Sequence, residues 1–79
     1  MAYKIWHMEF IETRRALARQ VRTLRQERGL TQTALAARLK TSQSRVAKME
    51  AADATVSIDL LLQTLFRLGM NRHQLAKAL

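Results

Sequence analysis

Between Arg38 and Lys48 the chain carries four basic residues, Arg38, Lys40, Arg45 and Lys48, set around Gln43 and Ser44 and with no acid among them. Positive potential, amide and hydroxyl hydrogen bonding are therefore concentrated in one short stretch, and that chemistry is recognition of a polyanion. It is not bond-making. Acids are few, no nucleophile has a recognisable base, and no glycine-rich phosphate loop occurs, so no enzyme activity is expected. From residue 43 onward only Val46 and Met49, three apart, are clearly apolar before Glu50, so one thin face of a helix packs inward and the polar remainder points out.

The elements that must hold this face follow from helical periodicity and its punctuation. The chain has no proline, and its two glycines, Gly29 and Gly69, each follow a long periodic stretch with a basic residue near its end, which marks them as helix stops. A first helix over residues 9–28 places Phe10, Leu17, Val21 and Leu24 on one apolar stripe, with Arg14, Arg15, Arg19, Arg22 and Arg25 along one flank. Thr31 caps a second helix over 32–39 with Leu35, Ala36 and Leu39 inward, and after a tight turn at Lys40 and Thr41, Thr41 or Ser42 caps a third helix ending near Glu50. Residues 51–56 lack periodicity and read as a loop. Ser57 caps a fourth helix over 58–68, whose core face is Ile58, Leu61, Leu62, Leu65 and Leu68, with Leu60 on the opposite face. Asn71 and Gln74 form a capping box that opens a short fifth helix bearing Leu75 and Leu79. The fold class is all-α.

Composition narrows the partner. The 79 residues suit one domain with a modest core, so a dimer is expected, and 14 basic residues against 6 acids give a net charge of +8 and a pI near 11.4. Nucleic acid and anionic membrane both fit that charge, but the narrow apolar stripe of residues 9–28 is already needed by the core, which disfavours a membrane-surface helix. Two short helices joined by a turn, the second with an exposed polar face, suit double-stranded DNA. Cysteine is absent and His7 and His73 lie far apart, so neither a metal nor another cofactor is expected. The first ten residues lack the apolar core of a secretory signal and no segment approaches a membrane span, so a cytoplasmic location is expected.

An ordered series of residues then becomes recognisable: Gly29-Leu30-Thr31-Gln32, Leu35-Ala36, Leu39, Ser42-Gln43-Ser44-Arg45-Val46, Met49-Glu50, Ser57-Ile58, Leu61-Leu62 and Leu68-Gly69. It closely resembles the phage repressor and Cro (Xre-like) helix-turn-helix family over about residues 14–75. The resemblance implies a five-helix lambda-repressor-like domain whose third helix lies in the major groove. Gln43 and Ser44, with Ala47 and Lys48 one turn on, then match base-reading positions, and a glutamine amide suits adenine as a lysine suits guanine. Gln32 matches a phosphate-contacting position at a helix amino end, and Lys40 and Arg45 join it on charge and placement. Arg25 and Glu50 match an internal ion pair between the first and third helices, in keeping with the place of Arg25 at the edge of the apolar stripe. Two departures stand out: Lys40 occupies a turn position usually held by glycine, and Ala51-Ala52-Asp53-Ala54 lacks the glycine and basic residue common after the third helix.

On this reading residues 13–79 form the DNA-binding domain and residues 1–12 an N-terminal extension or arm. Tyr3, Trp6 and Phe10 continue the apolar stripe backwards in helical phase, and an extended arm over residues 2–8 fits equally. Trp6, Leu60, Leu75 and Leu79 are the candidate surface for a second subunit or another partner. The expected function is a sequence-specific DNA-binding transcriptional regulator, most simply a dimeric repressor. An antitoxin that binds a cognate toxin and its own operator is the close alternative. A protein-interaction module that lost DNA binding, as Asp53 hints, is the alternative from another class.

Overall fold

Residues 2–28 contain neither glycine nor proline, and in the computed structural model, which describes the backbone of residues 2–79 and the side chains of residues 8–79, they form one long helix with its end at Glu27. Five helices follow one another: α1 (Ala2–Glu27), α2 (Gln32–Leu39), α3 (Gln43–Glu50), α4 (Ile58–Arg67) and α5 (Arg72–Ala78), with no strand among the described residues. α1 therefore begins seven residues before the expected 9, and residues 2–8 are helical rather than an extended arm. Nothing in their sequence breaks the helix.

The starts of α2, α4 and α5 are capped as the sequence predicts, and of the two candidates for α3 Ser42 takes the place. Thr31, Ser42, Ser57 and Asn71 stand in extended conformation and accept from the backbone N–H three residues on, and Asn71 and Gln74 complete a reciprocal box. The stops share one device. At Gly29 and Gly69 the backbone turns left-handed, and paired bonds, such as Leu30 N to Arg25 O and Gly29 N to Gln26 O, both 3.0 Å, close the helix end. Lys40 (φ 58°) and Ala52 (φ 56°) do the same after α2 and α3 without the freedom of glycine. Lys40 was foreshadowed by the departure at its turn position; Ala52 was not.

α1 packs across α4 and against α3, and α2 lies on α3. Leu17, Val21 and Leu24 of α1 meet Leu35, Val46, Met49, Leu61, Leu65 and Leu68 in one buried cluster, joined by Val56 and Met70 from the connections. Phe10 departs from the expected stripe: it is 48 % exposed, because α4 begins only at Ile58, beside Glu9, Phe10 and Thr13, and the core ends there. Leu60 also departs. It is partly buried against the core, lining a small cavity with Leu39, Met49 and Thr64, because α4 turns a second side toward α3. Thr64 on that side is fully buried and satisfied, its hydroxyl donating to Leu60 O at 2.9 Å and approaching Met49 Sδ at 3.6 Å. Two arginines also serve the fold: Arg14 Nε donates to Val56 O and Arg28 Nε to Leu68 O, each at 3.1 Å.

The expected ion pair joins α1 to α3. Arg25 donates from Nε to Glu50 Oε2 at 2.6 Å and from Nη2 to Oε1 at 3.0 Å, while Nη1 reaches Leu30 O at 2.8 Å. The side chains are only 12 % and 5 % exposed, so each would be left unpaired in a poorly solvated site without the other. Glu50→Ala is expected to cost about 3 kcal/mol in urea unfolding, and the double change Arg25→Met with Glu50→Leu much less than the sum of its single changes. Ala52→Gly, which relieves a left-handed alanine, is expected to raise stability by about 1 kcal/mol in the same measurement; a loss would mean that Ala52 is not strained.

Candidate nucleic-acid interface

α3 is eight residues long and is held from behind by Val46 and Met49, neither of which retains any exposure. The remaining face is determined by that anchoring. At about 100° per residue, Gln43, Ser44, Ala47 and Lys48 occupy a sector of about 140° facing away from the core. Gln43, Ser44 and Lys48 are exposed and Ala47 is half-buried, which leaves the centre of the face shallow. Ser42 fixes the amino end, its Oγ accepting from Arg45 N at 3.1 Å and lying 3.2 Å from Ser44 Oγ.

The neighbouring α2 meets this face through side chains. Gln43 Nε2 donates to Gln32 Oε1 at 2.7 Å, and Gln32 Nε2 donates to Glu50 Oε1 at 3.2 Å. A continuous row therefore runs from the exposed Gln43 through Gln32 to the Arg25–Glu50 bridge. Sequence reasoning placed Gln32 beside a phosphate and missed both bonds, because separations of 11 and 18 residues carry no periodic signal. The hydrogen bonds it donates to Glu50 hold the Arg25 guanidinium above its ordinary pKa against the opposing effect of burial. Glu50, enclosed in this way, adds little negative charge to the outer face.

The other expected contacts divide by flank. Lys40 is exposed at the left-handed turn before α3. Arg45 is exposed on the side of α3 toward α4, lining a cavity with Gln63 and Arg67. Asp53 points back into its own loop: Oδ1 accepts from Thr55 Oγ1 at 2.6 Å and from Thr55 N at 2.8 Å, and these bonds lower its pKa, with a smaller contribution from Lys48. Of the candidate partner surface, Leu60 and Leu75 pack partly buried against the chain's own core, whereas Leu79 is 64 % exposed. The Trp6 and His7 side chains lie outside the described residues, and His73 is exposed on α5. Among the described residues no three His, Cys, Asp or Glu side chains cluster as metal ligands, and no helix is long and apolar enough to cross a membrane.

Residues 16–79 match a protein family described as a helix-turn-helix domain. No curated protein and no solved structure matches the chain. The matched span holds both short helices, the turn at Lys40 and the core that turns α3 outward, and so the chain belongs to the helix-turn-helix domain family of DNA-binding proteins.

Proposed function

We propose that the protein is a sequence-specific double-stranded DNA-binding transcriptional regulator of the bacterial-phage repressor type, acting in the cytoplasm as a homodimer and without catalysis. The single observation that carries this reading is the orientation of α3: Val46 and Met49 are fully buried, so Gln43, Ser44 and Lys48 lie exposed on the side away from the core. An α-helix fits the major groove of B-DNA, where the four base pairs differ in their donors and acceptors. Gln43 and Lys48 then read base edges, Ser44 adds a hydroxyl, and the small Ala47 allows close approach. Gln32, Lys40 and Arg45 border the same face and supply phosphate contacts that fix the register. Dimerisation would place two such helices on half-sites about 34 Å apart. The exposed apolar side chains Met8, Phe10 and Leu79 support association with a second copy.

Selection of bound duplexes from a random pool is expected to yield a two-fold related motif. Gln43→Ala and Lys48→Ala should each relax preference at a different base pair, by about 1–3 kcal/mol of discrimination where a bidentate contact is lost. Unchanged preferences in both variants would remove these residues as readers. The affinity for the selected site is expected to fall steeply with salt, and Arg45→Ala should lower the slope of log affinity against log salt by about 1. Salt-independent or absent binding would favour a protein-interaction module instead.

A further inference from the structure

The first half of α1 precedes the span shared with the helix-turn-helix family, and it brings the helix to 26 residues, about 39 Å at about 1.5 Å per residue. Its outer side carries an ordered set of charges. At about 100° per residue, Glu12, Arg15 and Arg19 fall roughly 140–160° round the helix from Leu17, which points into the core. Glu9 and Ala16 border the same side, and together these residues line a groove of about 660 Å³ that reaches the exposed Leu79 beyond α5. Glu9, Glu12, Arg15 and Arg19 are exposed and Ala16 is half-buried between them. Among the described residues none of the four charged side chains has an ion-pair partner within the chain.

A chain of net charge +8 repels its own copy, so association is favoured where acids of one copy meet arginines of the other. Glu50 is enclosed by Arg25 and Asp53 is bound to Thr55, whereas Glu9 and Glu12 are open and share a face with two arginines. We propose that this face is the homodimer interface, the α1 helices of two copies lying antiparallel across a two-fold axis beside residue 14. Glu9 then stands opposite Arg19 of the second copy, and Glu12 lies over its Ala16, within reach of its Arg15. The axis repeats both pairs, and the small side chain of Ala16 lets the helices approach. A parallel pair would set Glu9 against Glu9 and Arg19 against Arg19, so the order of charges selects the antiparallel direction. Exposed ion pairs add little affinity singly and act here mainly by making other alignments repulsive. Apolar contact comes from Met8 and Leu79, 61 % and 64 % exposed in the single chain. This interface rests on the proposed homodimer and gives it a surface and a direction.

The test is sedimentation equilibrium of the full chain, alone and in mixtures. Glu9→Arg with Glu12→Arg makes the face wholly basic, and Arg15→Glu with Arg19→Glu makes it wholly acidic. Each doubly altered protein alone is expected to associate at least about tenfold more weakly than the unaltered one, and an equal mixture to recover as a heterodimer, because every pair is then opposite in sign. The acidic version has the lower net charge, so its weakening separates local pairing from general repulsion. Circular dichroism with urea unfolding checks that each variant is folded. The chain has no cysteine, so introduced thiols report direction: mixing Glu9→Cys with Arg19→Cys is expected to give chiefly the mixed disulfide. A predominance of disulfide between two Glu9→Cys chains would overturn the antiparallel order. Undiminished association of both charge-reversed proteins, or no recovery in a mixture of folded variants, would overturn this interface and leave the homodimer to another surface. An unaltered protein that stays monomeric at every concentration, on its selected duplex as well, would remove both the interface and the homodimer.

Discussion

The Arg25–Glu50 bridge is the constraint on which the rest of the molecule turns. It fastens the last turn of α1 to the last turn of α3, holds the connection into α2 through Leu30 O, and receives Gln32 from the first turn of α2. Three helices are thereby tied at one point, while the apolar contacts of Val46 and Met49 set how α3 rolls about its axis. Apolar packing alone is nondirectional. A planar guanidinium forked onto a carboxylate is directional, and it fixes the angle at which α3 leaves the core.

Much of this was legible in the sequence because the signals are local. Each of the caps at Thr31, Ser57 and Asn71 is one side chain answering one nearby backbone N–H, and the sequence names it directly; for α3 it offered Thr41 or Ser42, and Ser42 takes the place. The inward set of Leu17, Val21, Leu24, Leu35, Ala36, Val46 and Met49 follows from spacing. Arg25 and Glu50 were paired by the family resemblance, and their placement at the edge of an apolar stripe agreed with it.

The parts that escaped are those decided by where one element ends against another. Phe10 lies in phase with the core, yet the core stops at Ile58, and no projection of α1 alone carries that information. Leu60 is out of phase with Leu61 and Leu65 but meets α3, because a helix wedged between two neighbours has two inward sides. The left-handed Ala52 and the Gln43–Gln32 bond have a similar origin: each is imposed by tertiary geometry on residues whose own preferences are neutral or opposed.

The brevity of α3 couples occupancy to protein lifetime. Eight residues are too few for a helix to persist by itself in water, so the outward face exists only while the core behind it is assembled. Any ligand gripping that face binds the folded chain and not the unfolded one, and by mass action it lowers the unfolded fraction on which proteases act. Molecules engaged on a cognate site would accordingly outlast idle ones, so that turnover preferentially clears the unengaged pool.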